Sequence, residues 1–126
     1  MTRYVLDTSF VIDHLRGDPV AIERFAQLFE DGDQPVVNEV VACEAWAGAS
    51  LSGDPDLERL MSVVEFVQPG PASAQRAGRW RQEAMGRGHT LSLADALIAA
   101  AAGDDAVVLT RNVRDFALTP VRVETY

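Results

Sequence analysis

The sequence predicts an α/β domain: a short, mostly parallel sheet of four to five strands flanked by helices. Three observations carry this. Short, almost continuously apolar segments alternate with segments of helical spacing along the whole chain, the pattern of strands buried on both faces by crossover helices. The 126 residues, 48% apolar and 24% charged, suit one domain spanning 1–126, because chains divide into domains only well above this length. Finally, a chain this long buries roughly two-thirds of its unfolded surface and needs no disulfide.

The elements follow in order. Arg3–Leu6 reads as a buried strand ended by Asp7-Thr8-Ser9, with Ser9 able to cap a helix over Phe10–Arg16 that Gly17 stops. Pro19 stands near the first turn of a helix over Val20–Glu30, where Ile22, Phe25, Ala26 and Phe29 recur at helical spacing. Gly32-Asp33-Gln34-Pro35 reads as a turn and Val36-Val37 as a strand. Asn38 caps a helix to Ala47, with Gly48 as its terminator, and Pro55 opens another to Val63. Val64–Val67 is a strand closed by Pro69-Gly70-Pro71. A long helix over Ala72–Arg87 ends at Gly86-Arg87-Gly88, and Ser92 caps an apolar helix over Leu93–Ala102 that stops at Gly103. Ala106–Leu109 and Val121–Val123 complete the strands.

The charge is uneven. Nineteen acids face 11 basic residues, a net charge of -8, and every basic residue is Arg. Residues 1–65 hold 13 acids and 4 Arg, whereas residues 66–126 hold 6 acids and 7 Arg. Bulk charge therefore argues against a polyanion partner, but leaves one half near neutrality. The lone Cys43 cannot form an internal disulfide, the N-terminal apolar run is broken by Asp7, and the longest apolar run, Ala96–Ala102, is far short of a membrane span. The expected setting is the cytoplasm, with no membrane partner.

Sites in parallel α/β sheets form beyond the carboxyl ends of the strands. Asp7 leaves the first strand there, Asn38 starts the helix that bears Glu44, and Thr110, Arg111 and Asn112 follow Val107–Leu109, with Asp115 beyond. Asp7 also fits a plain turn residue, and the Thr8 and Ser9 hydroxyls either cap or hold a metal-bound water. Glu44 shares a helix face with Val40, Val41, Ala47 and Gly48, an apolar stripe on which an acid is costly unless paired or metal-bound. Asp95 fits the capping pattern Ser92-Leu93-Ala94-Asp95, yet apolar neighbours surround it. Asp115, alone, reads as a surface residue beside Arg114. Carboxylates converging from separate segments repel one another and favour a hard cation; oxygen-only ligands suit Mg²⁺ or Mn²⁺ rather than Zn²⁺.

The missing Lys removes rivals. A haloacid-dehalogenase-type phosphatase and a response-regulator receiver both need one, as does a P-loop. An integrin-like D-x-S-x-S site matches Asp7 and Ser9 but meets Val11 in its last place. Carboxylate-only metal chemistry survives, with Arg as the sole positive partner.

Four segments in order now stand out: Tyr4-Val5-Leu6-Asp7-Thr8-Ser9; Val36-Val37-Asn38-Glu39-Val40-Val41-Ala42-Cys43-Glu44 with Gly48; Leu91-Ser92-Leu93-Ala94-Asp95-Ala96-Leu97-Ile98-Ala99; and Leu109-Thr110-Arg111-Asn112-Val113-Arg114-Asp115-Phe116. Together they resemble the PIN-domain nuclease family, and within it the VapC-type toxins of type II toxin–antitoxin systems. The resemblance covers the chain end to end and implies a PIN-like three-layer sandwich. It makes Asp7, Glu44 and Asp95 an acidic triad, with Asp7 and Asp95 as metal ligands. The fourth acidic place falls to Asn112, Asp115 or both, and Thr110 orients an acid or a water.

The implied activity is Mg²⁺-dependent hydrolysis of RNA phosphodiesters (Mn²⁺ serving in its place), inhibiting translation and growth. Arg111 and Arg114, flanking the proposed site, read either as contacts to RNA phosphates or as solubilising residues; Arg76, Arg79 and Arg87 share a face of the long helix, and Arg81 reads as a solubilising residue. The implied partners are an RNA substrate, an inhibiting antitoxin and a second copy in a homodimer. Phe25, Phe29, Trp46, Leu51, Leu57 and Leu60 supply core and groove positions for an antitoxin helix, and the helix 72–87 is a dimer contact. The alternatives are a non-catalytic PIN-like module that binds RNA or protein, and a carboxylate-metal nuclease acting on DNA.

Overall fold

The computed structural model describes residues 1–68 and 70–126. Pro69 of the expected closing turn lies outside the described residues. Five strands, β1 (Arg3–Leu6), β2 (Gln34–Val37), β3 (Glu65–Phe66), β4 (Val107–Leu109) and β5 (Arg122–Glu124), form one wholly parallel sheet in the order β3-β2-β1-β4-β5. Among the described residues six helices join them: α1 (Thr8–Leu15), α2 (Pro19–Glu30), α3 (Glu39–Ala47), α4 (Pro55–Val63), α5 (Pro71–Gly86) and α6 (Leu93–Ala99). A short 3-10 turn, Val113–Phe116, follows β4. Among the described residues no helix is long and apolar enough to cross a membrane.

The central strands carry the core. Val5, Leu6, Val36, Val37, Val107, Val108 and Leu109 are buried, as a parallel sheet covered on both faces requires. Phe10 and Val11 of α1, Leu28 of α2 and Leu57 of α4 are fully buried among them, each contributing about 1.5–3 kcal/mol. A second cluster, Ala77, Ala84, Leu91, Ala96 and Ala100, seals α5 against α6. The small side chains there let two arginines fasten the joint: Arg76 donates to the Ala100 carbonyl at 2.7 Å and Arg81 to the Leu91 carbonyl at 3.0 Å. Arg81 is thus a half-buried structural link, not a solubilising residue.

Several boundaries differ from expectation for local reasons. The first helix begins at Thr8 because the Asp7 carbonyl already accepts from Phe10 N and Val11 N. Ser9 therefore lies inside the first turn and does not cap. The second strand begins at Gln34, whose N–H reaches Thr2 O on the β1 side at 2.9 Å. Pro35, pointing its nitrogen the other way, is tolerated because β3 pairs only from Val36 onward. The α6 helix stops at Ala99, and the next alanines wind more tightly, Ala101 N bonding Ile98 O, before Gly103 turns at φ +86°.

The strand order places the site. The chain leaves β1 toward β2 and β3 on one side, then returns to lay down β4 and β5 on the other. The switch lies between β1 and β4, so a crevice opens beyond their carboxyl ends. Asp7 and Thr110 are the residues that leave those two strands.

Candidate active site

Among the described residues, the buried polar and charged side chains are Asp7, Ser9, Asp13, Asn38 and Thr110. All five lie at this carboxyl edge. Asp7 is 6% exposed and occupies the N-cap position of α1, yet its side chain makes no capping bond. Its Oδ2 instead accepts the Thr110 hydroxyl at 2.7 Å and the Ser9 hydroxyl at 2.9 Å. The Thr110 oxygen in turn accepts Asn112 N at 2.9 Å, and the Ser9 oxygen accepts Arg111 N at 3.3 Å. Two hydroxyls thus fix one oxygen of Asp7. Among the described residues, Oδ1 takes no hydrogen bond.

A pocket of about 250 Å³ opens beside this network, lined by Asp7, Thr8, Ser9, Ile12, Glu44, Asp95, Arg111, Asn112 and Asp115. The structure therefore gathers the four expected acids, and both Asn112 and Asp115 stand on the wall. Glu44 differs from expectation: it is exposed, because the core face of α3 is formed by Val41, Ala42 and Ala45. Its carboxylate accepts the Thr8 hydroxyl at 2.6 Å. The Thr8 and Ser9 hydroxyls accordingly orient carboxylates and cap nothing.

Asp95 is half-buried near the start of α6, where its N–H donates to Ser92 Oγ at 3.0 Å. Burial raises its carboxyl above the ordinary value; hydrogen bonding with Ser92 opposes the shift, and the charges of Asp115, Asp7 and Glu44 add to it. Asp95 thus shares the pocket wall with Asp7, Glu44 and Asp115.

Asn38 sets the spacing. Its Oδ1 caps α3 at Val40 N and Val41 N, 3.1 and 3.2 Å away, while its Nδ2 donates to Leu97 O of α6 at 3.1 Å. One buried side chain thus ties the helix of Glu44 to the helix of Asp95.

Donor chemistry tests whether a cation suits the pocket. All the acidic ligands are oxygens, which fits a hard ion. Among the described residues no three His, Cys, Asp or Glu side chains close into a preformed cage.

A family model described as PIN domain matches residues 4–119. The chain belongs to the PIN domain family. It is 34% identical to Ribonuclease VapC19 of Mycobacterium tuberculosis over 117 residues, 92% of this chain and 94% of the relative. Among solved structures, this PIN domain is similar to that of the DNA-bound VapBC from Salmonella typhimurium, with TM-score 0.82, 27% identity and coverage of 99% and 98% of the two chains. It also superimposes on VapBC2 from Rickettsia felis bound to a promoter DNA fragment, with TM-score 0.82 and 19% identity over 99% of each chain. The second likeness speaks to fold alone.

The arginines of this PIN domain are divided by the structure. Arg76 is committed to the α5–α6 joint and stacks over Trp80 at 5.8 Å. Arg79 on α5 and Arg87 at its C-terminal cap are exposed, and neither lines the pocket. Arg114 is exposed in the 3-10 turn that carries Asp115. Arg111 lines the pocket, and its guanidinium hydrogen-bonds Asp13. Asp13 is the residue that sequence reasoning missed. Its signal was an acid four residues after Ser9 and three after Phe10, on the inward face of α1.

Proposed function

We propose that this chain is a metal-dependent endoribonuclease and the toxin of a VapBC-type toxin–antitoxin module, slowing growth by cutting RNA that translation needs. One observation carries the reading: four carboxylates from four segments share one pocket at the sheet's switch point, and Asp95 registers the charges of the other three. The 34% identity to a ribonuclease over 92% of the chain supports it.

Asp7 and Asp95 are the residues that would hold Mg²⁺, or Mn²⁺ in its place, with Glu44 and Asp115 beside them. The bound ion would supply a hydroxide at neutral pH and an electrophile for the phosphate. The chain's own work is positional. Ser9 and Thr110 lock Oδ2 of Asp7 and leave Oδ1 for the pocket. Thr8 aims Glu44, and Asn38 holds α3 and α6 in register. Arg111 and Arg114 offer positive charge to RNA phosphates at the rim. The acids repel RNA until a cation offsets them, so an acidic protein can act on a polyanion once the metal is present.

An antitoxin partner is part of the same reading, supported by the 27%-identical VapBC complex. Leu57 and Leu60 are core residues and Phe25 is half-buried, whereas Phe29, Trp46 and Leu51 are exposed. A groove of about 450 Å³ between α1, α2 and α4, lined by Leu15, Phe25, Leu60 and Val63, would receive an apolar helix face.

The test compares the purified chain on RNA, single-stranded DNA of the same sequence and a nucleotide monoester, each with Mg²⁺ and with chelator. Mg²⁺-dependent cleavage of RNA alone supports the proposal. Cleavage of DNA in preference moves the activity to the other nuclease class. Cleavage of nothing leaves a binding module.

A further inference from the structure

A second buried network stands next to the first and has no part in holding the acids. Asp13, 6% exposed, uses both carboxylate oxygens. Oδ1 accepts the Arg111 guanidinium, and Oδ2 accepts the hydroxyl of Tyr126 at 2.5 Å. Tyr126 is fixed independently, its ring meeting Phe10 edge-on at 4.9 Å. Burial raises the Tyr126 hydroxyl well above its ordinary value, and the bond to Asp13 adds to the shift, so it remains a donor at neutral pH. Arg111 is thus gripped twice, through its side chain by Asp13 and through its backbone N–H by Ser9.

That grip is informative because of where Arg111 stands. It lines the pocket with Asp7, Glu44, Asp95 and Asp115, and half of its side chain is exposed. A free guanidinium beside four carboxylates would fold onto them, since Arg binds carboxylates in a strong forked geometry. It would then occupy the oxygens that a cation needs.

We propose that Asp13 and Tyr126 form a latch that holds the Arg111 guanidinium at the rim, out of the carboxylate nest, so that its charge is presented to substrate phosphate and does not displace the cation. Asp13 and Tyr126 are positioning residues that act through Arg111. The latch rests on the reading of the acidic pocket as a cation site.

The experiment measures Mn²⁺ binding by electron paramagnetic resonance for wild type, Asp13→Asn, Tyr126→Phe, Arg111→Ala and the Asp13→Asn/Arg111→Ala double variant, with circular dichroism as a check on fold. Asp13→Asn is expected to weaken Mn²⁺ binding about tenfold, the effect of one hydrogen bond to a charged group. Tyr126→Phe keeps the ring contact with Phe10 and is expected to weaken binding by a smaller factor, about threefold. Removing Arg111 as well restores binding to at least the wild-type level, because no guanidinium remains to compete. If Asp13→Asn proves unfolded, Tyr126→Phe alone decides. Unchanged Mn²⁺ affinity in the folded latch variants overturns the latch, as does a double variant as weak as Asp13→Asn alone. Absence of Mn²⁺ binding by the wild-type chain overturns the cation reading itself, and the latch with it.

Discussion

Replacing Thr110 by valine keeps shape and volume and removes one oxygen. In the fold that oxygen donates to Asp7 Oδ2 at 2.7 Å and accepts Asn112 N at 2.9 Å, from a fully buried residue. A hydrogen bond to a charged group contributes about 1.5–3 kcal/mol, and the half-buried Asn112 N–H adds a few tenths when it must find water instead. The expected loss is about 2–3 kcal/mol. Unfolding entropy near 2.1 cal/mol/K per residue gives about 0.26 kcal/mol/K for a chain of 126 residues. Thr110→Val should therefore lower Tm by roughly 8–11 °C. Thr110→Ser keeps the hydroxyl and loses a methyl, and should cost only about 1 kcal/mol, or roughly 4 °C. Thermal unfolding followed by circular dichroism, alongside RNA cleavage, reads both. Cleavage should fall sharply in the valine variant, since Asp7 loses its stronger tether, and largely persist in the serine variant. A valine variant as stable as wild type, or a serine variant equally damaged, would refute the account of Thr110 as the residue that holds Asp7.

Three further outcomes follow from the same geometry. Asp95→Asn should abolish cleavage while raising Tm at pH 7, read by thermal unfolding across a pH series. The sign follows from the raised carboxyl of Asp95: the folded state binds its proton more tightly than the unfolded state, so the ionised form costs stability above the folded pKa, and the advantage of Asn should vanish as pH falls toward the ordinary carboxyl range. Adding Mg²⁺ at about 100 times its Kd should stabilise wild type by about 2.7 kcal/mol, near 10 °C in a thermal-shift assay, with most of the gain absent in Asp7→Asn. Asn38→Ala removes the α3 cap and the tie to Leu97; urea unfolding should show a loss of about 2 kcal/mol, and Mg²⁺ affinity should weaken as Glu44 and Asp95 lose register.

Local chemistry made much of this legible. The strand ending in Asp7, the Asn38 and Ser92 caps and the helix opened by Pro55 are set by neighbours in sequence, and each stands where the residue pattern puts it. Asp7, which leaves a strand end, and Asp95, in the first turn of α6, were readable from position, Glu44 in the middle of α3 from its apolar neighbours, and Asp115 in the 3-10 turn only through the resemblance of its segment. What could not be read depends on distant partners. Pro35 enters a strand only because β3 leaves that level unpaired. Asp13 gains its meaning from Arg111 and Tyr126, 98 and 113 residues away. Glu44 was placed on an apolar stripe by helical spacing, but the position of α3 against the sheet turns it to the pocket mouth and to Thr8.

The central claim is that Asp7, Glu44, Asp95 and Asp115 act as one cation-binding unit for RNA cleavage. Its most direct test titrates Mg²⁺ into single-turnover cleavage of RNA by wild type and by Asp7→Asn, Glu44→Gln, Asp95→Asn and Asp115→Asn, each shown to be folded. The account predicts that wild type is silent in chelator and activated by Mg²⁺, that Asp7→Asn and Asp95→Asn stay silent at any concentration, and that the other two need more Mg²⁺. Cleavage by wild type in chelator, or full activity of Asp7→Asn and Asp95→Asn, would contradict it.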